Sequence, residues 1–341
     1  MNNNKTESNI RKVALTSLSG TSIEWYDFFL YGAAAGLVFP KLFFGEVDPT
    51  TALILSFMTF AAGFIARPVG GIIFGHFGDL IGRKKTLVIA LMLMGIASTL
   101  IGLLPTYETI GIAAPILLTF LRFCQGIAIG GQWGGAMLLV TESAPSNRRG
   151  YYGAYAQAGA PVGVILANIA FISVSLMTTE ESFLSWGWRI PFLISFVLVI
   201  ISMYIQLKLE DTKAFKELEA IKASDTSSTK EIKSSPILEA LRRYPKRISL
   251  AAGAFLSIQV TFYILVAFVL AYGVQTTELS RNDLLTAVLI GSAIMVPMQF
   301  MFSDYSDKNG RKGIFMLGAI FTALWAFARS EEHTSELQSP M

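Results

Sequence analysis

The chain has 341 residues, of which 53% are hydrophobic and 15% charged, with a formal net charge of +3. A soluble domain carries about a quarter charged residues, so the composition excludes an ordinary soluble protein and points to an all-α integral membrane protein. One cysteine, Cys124, excludes a disulfide framework and a cysteine metal site, and the basic residues are placed by topology rather than for nucleic acid.

A helix needs about 20 mostly apolar residues to span a bilayer. The polar start MNNNKTESNIRK precedes an apolar run longer than a signal-peptide core, which argues against a cleaved signal. Nine candidate spans follow, at 14–38, 51–75, 86–104, 110–141, 151–176, 187–207, 248–273, 284–302 and 313–328. The first six make an N-terminal half over 1–207. Residues 208–247, rich in Lys, Glu and Ser, read as a polar central loop, with room for a surface helix at TKAFKELEAIK. The last three make a partial C-terminal half over 248–328. The polar end, RSEEHTSELQSPM (329–341), reads as a non-native tail that resembles a translated sequencing adapter.

Lys and Arg distribution sets orientation. With the N-terminus in the cytoplasm, 21 basic residues fall in internal segments and three, Lys41, Arg189 and Arg281, in external ones. GHFGDLIGRKK (75–85) is then a cytoplasmic turn after the second span. SDYSDKNGRKG (303–313) repeats it at a constant offset of 228 residues, after the eighth. Matching elements in matching positions of two halves mark a transporter built from repeats. A full second half would bring the number of spans to twelve.

Four ionisable residues lie inside predicted spans: Glu24 and Asp27 in the first, Arg67 in the second and Arg122 in the fourth. Each costs about 3 kcal/mol near the bilayer centre, so each must pair or face water. Glu24, Asp27 and Tyr31 share one helix face, as do Arg122, Gln125 and Gln132. The expectation is that Asp27 and Glu24 hold a coupling proton in turn, with Arg122 and Arg67 as the partner charges. Arg67 precedes Pro68 and also reads as a kink residue. Candidate substrate contacts are Tyr31, Gln125, Gln132, Trp133, Tyr155, Gln157 and Asn168 in the first half, with Gln259 and Tyr263 in the second. A guanidinium in the cavity favours an anion. Gly126, Gly130 and Gly134, four residues apart, read as a close-packing seam. One histidine before the tail, one cysteine and no acid-rich spacing argue against a membrane enzyme, a metal or a cofactor.

The motif G-x-x-x-D-x-x-G-R-K with its second copy, together with RFCQGIAIGG, resembles the major facilitator superfamily. IEWYDFFLYG, ARPVGGIIFGHFGD, ESAPSNRRGYYGAYAQAGAPVG and FLSWGWRIPF are similar to its bacterial metabolite:proton symporter branch, of shikimate and other organic-acid permeases. The resemblance implies helices 1 and 4 lining a central cavity, alternating access, an inner-membrane location, protons and a small molecule as the only partners, and a monomer. It also implies a conformational latch of Gly75, Asp79, Gly82, Arg83, Glu142 and Arg148, with Asp307 and Arg311 from the second copy. Two readings stand beside organic-acid import: a proline/betaine-type carrier and a nonfunctional fragment.

Overall fold

The computed structural model describes residues 2–45, 47–81, 83–207, 242–276 and 279–337. These residues are helical, with no strand among them. The helices are α1 Asn2–Leu37, α2 Phe39–Phe43, α3 Pro49–Ile81, α4 Arg83–Leu103, α5 Tyr107–Ile110, α6 Ala113–Ser143, α7 Arg149–Met177, α8 Glu180–Ser182 and α9 Arg189–Leu207. After the central segment come α10 Pro245–Tyr263, α11 Val269–Thr276, α12 Arg281–Asn309 and α13 Arg311–Leu337. A π turn at Phe183–Gly187 joins α8 to α9, and another at Ile264–Phe268 joins α10 to α11. The expected central loop, 208–247, lies outside the described residues up to 241.

Local chemistry sets the helix ends. Asp48 Oδ1 accepts from Thr51 N–H at 3.0 Å, and Pro49 supplies a fixed φ at the first helical position of α3. Ser280 and Asp283 form a reciprocal capping box on α12. Arg189 Nη1 donates to the carbonyls of Gly102 (3.0 Å) and Leu104 (2.6 Å), closing the C-terminal end of α4 from across the bundle.

Two expectations about the repeated motif change here. GHFGDLIGRKK is not a loop: α3 runs helically through Ile81, and only Gly82, outside the described residues, separates it from α4. In the second copy α12 stays helical through Asn309. Gly310 then turns the chain with φ 87° and ψ 154°, a region essentially reserved for glycine. Charge made the stretches look like loops, yet a helix carries charge freely where it leaves the bilayer. The expected boundary at 328 also shifts, since α13 continues to Leu337.

Five described helical segments are long and apolar enough to cross a membrane, or six if the bent α8–α9 pair counts as one. The segment containing α1 is not among them, because Glu24, Asp27 and a run of Ser and Thr dilute its apolar content. Helix α1 tolerates these because it is interior. Tyr26, Phe28, Leu30, Tyr31 and most of their neighbours are buried against α7, α9, α3 and α6. The other main pairs are α3 with α6, α4 with α9 and α12 with α7. A large apolar cluster runs through α1, α2, α4, α6, α7, α9 and the α11–α12 junction. A smaller one joins Ile10 and Ala14 of α1 to Val140, Tyr152 and Ala156 at the opposite end.

The α3–α6 contact is a glycine seam, as the spacing suggested. A Cβ on Gly126 would lie 2.1 Å from the Gly63 carbonyl oxygen, and one on Gly130 would lie 2.1 Å from the Arg67 carbonyl oxygen. The clash partner is backbone, so no rotamer relieves it. Gly130→Ala is expected to force the two helices apart, destabilising the bundle by about 3 kcal/mol, the upper end for an overpacked core. Thermal unfolding in detergent reads this directly.

Candidate functional site

Helix α1 brings two acids, and α3 and α6 each bring one guanidinium, to the middle of the bundle. Glu24 (6% exposed), Asp27 (1%) and Arg122 (1%) are buried. The Arg122 guanidinium lies over three rings, Tyr31 at 4.3 Å and Phe28 and Phe60 at 4.6 Å each. Its Nη1 donates to Gln125 Oε1 at 3.0 Å, and Gln125 Nε2 donates to Ser98 Oγ at 2.7 Å. The Arg67 guanidinium lies over Phe28 and Phe64, each at 4.6 Å. Phe28 thus carries a guanidinium from each of two helices, and the two cations repel.

Although Asp27 and two arginines share the site and Glu24 lies one turn from Asp27, no ion pair within 4.0 Å joins any of them among the described residues. Of the two alternatives, pairing or facing water, close pairing is not seen among these four residues. Both Asp27 oxygens lack a hydrogen bond, as do Nε and Nη2 of Arg67 and of Arg122. Ser98 and Ser195 stand beside the Asp27 carboxyl without closing a bond, and Arg122 acts on it across a gap. The Tyr263 hydroxyl, beside Arg67, is also buried without a partner. A buried polar group left unpaired costs free energy. Seven guanidinium, carboxylate and phenol positions left open in one place mark a site kept for something else.

The expected substrate contacts divide. Tyr31 is at the site, where Thr59 Oγ donates to the Ser56 carbonyl and takes the Tyr31 O–H at 2.6 Å. Gln125 orients Arg122. Tyr263 reaches the site from α10, in ring contact with Phe28 and Phe64. Tyr155 does not: it packs on Tyr151, Tyr152 and Phe300 beside the smaller cluster, near the start of α7. Its position about two turns from the α7 midpoint, not its residue type, decides this. Asn168 Nδ2 donates to the Leu285 carbonyl at 3.3 Å, an interhelical bond. Gln157 and Gln259 are half-buried. The side chains of Gln132 and Trp133 lie outside the described residues. Arg67 is more than a kink residue, because α3 is continuous through Pro68 and the guanidinium joins the aromatic cluster. Sequence reasoning missed Phe28, Phe60, Phe64, Ser98 and Ser195. The available signal was the i, i+4 pair Phe60 and Phe64 one turn before Arg67.

At the end of the bundle holding the N-termini of α1 and α7, the second motif copy makes a helix cap. Asp307 accepts from the backbone N–H groups of Gly150 (2.9 Å) and Tyr151 (2.8 Å), at the N-terminus of α7. Arg311 Nη2 lies 3.8 Å from Asp307 Oδ1. Arg148 stacks over Tyr151 at 4.6 Å. A carboxylate there satisfies orphan donors and the helix dipole together. Glu142 is exposed, and Gly75 faces open space. The side chains of Asp79 and Arg83, and Gly82, lie outside the described residues. Asp307→Ala is expected to cost about 1–2 kcal/mol of the α7–α12 contact. Faster labelling of a cysteine at Ser146 by a soluble maleimide would read the loosened end.

At the opposite end Arg281 of α12 reaches α8. Its Nη2 donates to Glu180 Oε2 and to Ser175 Oγ, both at 2.9 Å.

A family model described as Major Facilitator Superfamily matches residues 17–329. The chain is 43% identical over 330 residues to the Shikimate transporter of Escherichia coli (strain K12), covering 94% of this chain and 72% of that one. It is 42% identical over 323 residues to the inner membrane metabolite transport protein YhjE of the same organism, covering 93% and 72%. Among solved structures, the partially occluded inward-open xylose transporter XylE from E. coli shares the fold with a TM-score of 0.64. It has 18% identity and covers 89% of this chain and 74% of that one.

Proposed function

The chain belongs to the major facilitator superfamily, and from that membership we propose that it is a proton-coupled symporter importing a small organic acid such as shikimate or a related carboxylate. The superfamily is one of multi-pass membrane transporters of small molecules, not of enzymes. One observation carries the finer reading: two guanidiniums, held over a shared Phe28 ring, keep four buried donor positions free of a hydrogen-bond partner. A carboxylate accepts from such donors bidentately. The Tyr263 hydroxyl, from the other side of the central segment, is placed to take a hydroxyl of the same molecule. Asp27, in the same pocket of unpaired groups, is the proton carrier, with Glu24 one turn away as its alternate.

In this reading the Lys- and Arg-rich end of the bundle faces the cytoplasm, the protein lies in the bacterial inner membrane, and it works as a monomer. Alternation follows from the two gating ends. Asp307 on the α7 N-terminus closes one end, and Arg281 on Glu180 ties the other. The aromatic rings alone would suit a quaternary ammonium, which keeps a betaine carrier as the second reading. The guanidiniums occupy those ring faces and repel such a cation, so the acid is favoured. Counterflow in proteoliposomes, with shikimate, other organic acids and betaine as a panel, tests the choice. Exchange of betaine with no exchange of any acid would overturn it, and no exchange at all would point to a nonfunctional fragment.

A further inference from the structure

At the end of the bundle away from the α1 N-terminus lies a cavity of about 730 Å³, walled by α2, α8 and the start of α12. Its lining includes three charges, Lys41, Glu180 and Arg281, and the polar Ser175, Ser280 and Asn282. Two cations share one carboxylate. Lys41 Nζ is 4.0 Å from Glu180 Oε1, and Arg281 grips both Glu180 oxygens, at 3.4 and 2.9 Å.

The partners are unequal. The Arg281 side chain is only 15% exposed, lies over the Phe183 ring at 4.1 Å and is tethered by Ser175. The Glu180 side chain is 60% exposed, on a three-residue helix. Arg281 is therefore a fixed anion receptor, and Glu180 is a loosely held occupant. Arg281 Nε and Asn282 Oδ1 are buried with no partner of their own, so the receptor has an unused donor and an unused acceptor. Glu180 is the water-exposed partner of this pair, where solvent and salt weaken the attraction, so a solute carboxylate can displace it.

We propose that this cavity is an outer binding site for the carboxylate cargo, in which the incoming carboxylate replaces Glu180 on Arg281 and takes Lys41 as its second cation. A hydroxylated acid suits the cavity, because the unpartnered Asn282 Oδ1 beside the receptor can accept from a hydroxyl. Glu180 belongs to the helix group that includes α7 and α9, and Arg281 begins α12. The same exchange therefore removes one tie between them and leaves the Arg281–Ser175 bond, so arrival of cargo loosens this end. This rests on the reading of the chain as a carboxylate carrier.

The test uses the purified chain in detergent, where both ends are open to reagents, and shikimate as the probe. Val47, exposed and in the cavity wall, is changed to cysteine with Cys124→Ala. Shikimate is expected to slow its reaction with a soluble maleimide several-fold. Arg281→Gln should abolish that protection, and Arg122→Gln, at the central site, should leave it. Glu180→Gln removes the competitor, and should lower the shikimate concentration for half-protection by up to about fivefold. Protection that survives Arg281→Gln, or that disappears with Arg122→Gln, overturns the outer site. So does the absence of protection while counterflow of shikimate proceeds. Protection that depends on Arg281 in a protein with no counterflow leaves the outer site standing and overturns only the transport reading.

Discussion

Replacing Arg122 with glutamine is expected to lower shikimate counterflow by more than 100-fold while leaving the folded protein as stable as before, or more so. The two halves of this outcome have one cause. Arg122 is 1% exposed, and two of its three nitrogens have no acceptor. Its charge is offset by ring faces and by the single bond to Gln125. Removing a buried charge that lacks a close counter-ion relieves desolvation, so thermal unfolding should not fall. A guanidinium whose donors are kept for a carboxylate loses a charge-assisted bidentate contact when replaced, and each such bond is among the strongest polar contacts available. Glutamine is shorter than arginine but stays polar and loses the charge, so unchanged thermal unfolding is what excludes a packing defect as the cause of the loss. Arg122→Lys should also be severely impaired, because an ammonium has no planar fork to lie between Tyr31, Phe28 and Phe60. Counterflow of wild-type rate in either variant would remove Arg122 from cargo binding. A collapse in unfolding temperature would make it a structural residue.

The way the sequence revealed this site follows from what a bilayer penalises. Asp27, Glu24, Arg67 and Arg122 stood out because a charge inside an apolar span is costly, and no packing role readily justifies it. Phe28, Phe60 and Phe64 were invisible because phenylalanine is an ordinary lipid-facing or core residue. Only the fold puts guanidiniums on their faces. Tyr155 and Tyr263 looked equivalent as sequence, yet one sits in the smaller cluster and the other beside Arg67, since depth along a helix is set by tertiary packing. The glycine spacing of α6 was legible because a close approach needs glycine on at least one side. Its partner, the carbonyl of Arg67, was not. The repeat at 228 residues exposed Asp307, and the helix it caps, α7, came only with the structure. The motif read as a loop because charge density was taken for irregular backbone. In the second copy a single glycine, Gly310, carries the turn, and in both copies the charges extend a long helix past the apolar zone.

Asp27→Asn is expected to separate proton coupling from exchange. Asparagine has nearly the same volume and cannot take up or release a proton, so it imitates the protonated carboxyl permanently. Counterflow, which returns every carrier with cargo bound, should persist within a few-fold. Net uptake driven by an imposed pH gradient, inside alkaline, should fall to the rate seen without a gradient. The physical basis is the chain of contacts from cargo site to carboxyl. Arg122 bonds Gln125, Gln125 bonds Ser98, and Ser98 stands beside Asp27 together with Ser195. An anion that draws Arg122 toward itself weakens the field that this cation exerts on Asp27. Binding of anion and binding of proton then favour each other, and by linkage the favour is mutual and equal in free energy. Neither Asp27 oxygen is committed to a hydrogen bond, so no structural bond has to break when the proton comes or goes. Glu24 lies one turn away and equally deep, which makes it the competing carrier. Gradient-driven uptake that survives Asp27→Asn and disappears in Glu24→Gln would transfer the role to Glu24. Survival in both single variants and loss only in the double variant would mean that the two acids pass one proton between them, with Asp27 the nearer of the two to the Arg122 relay.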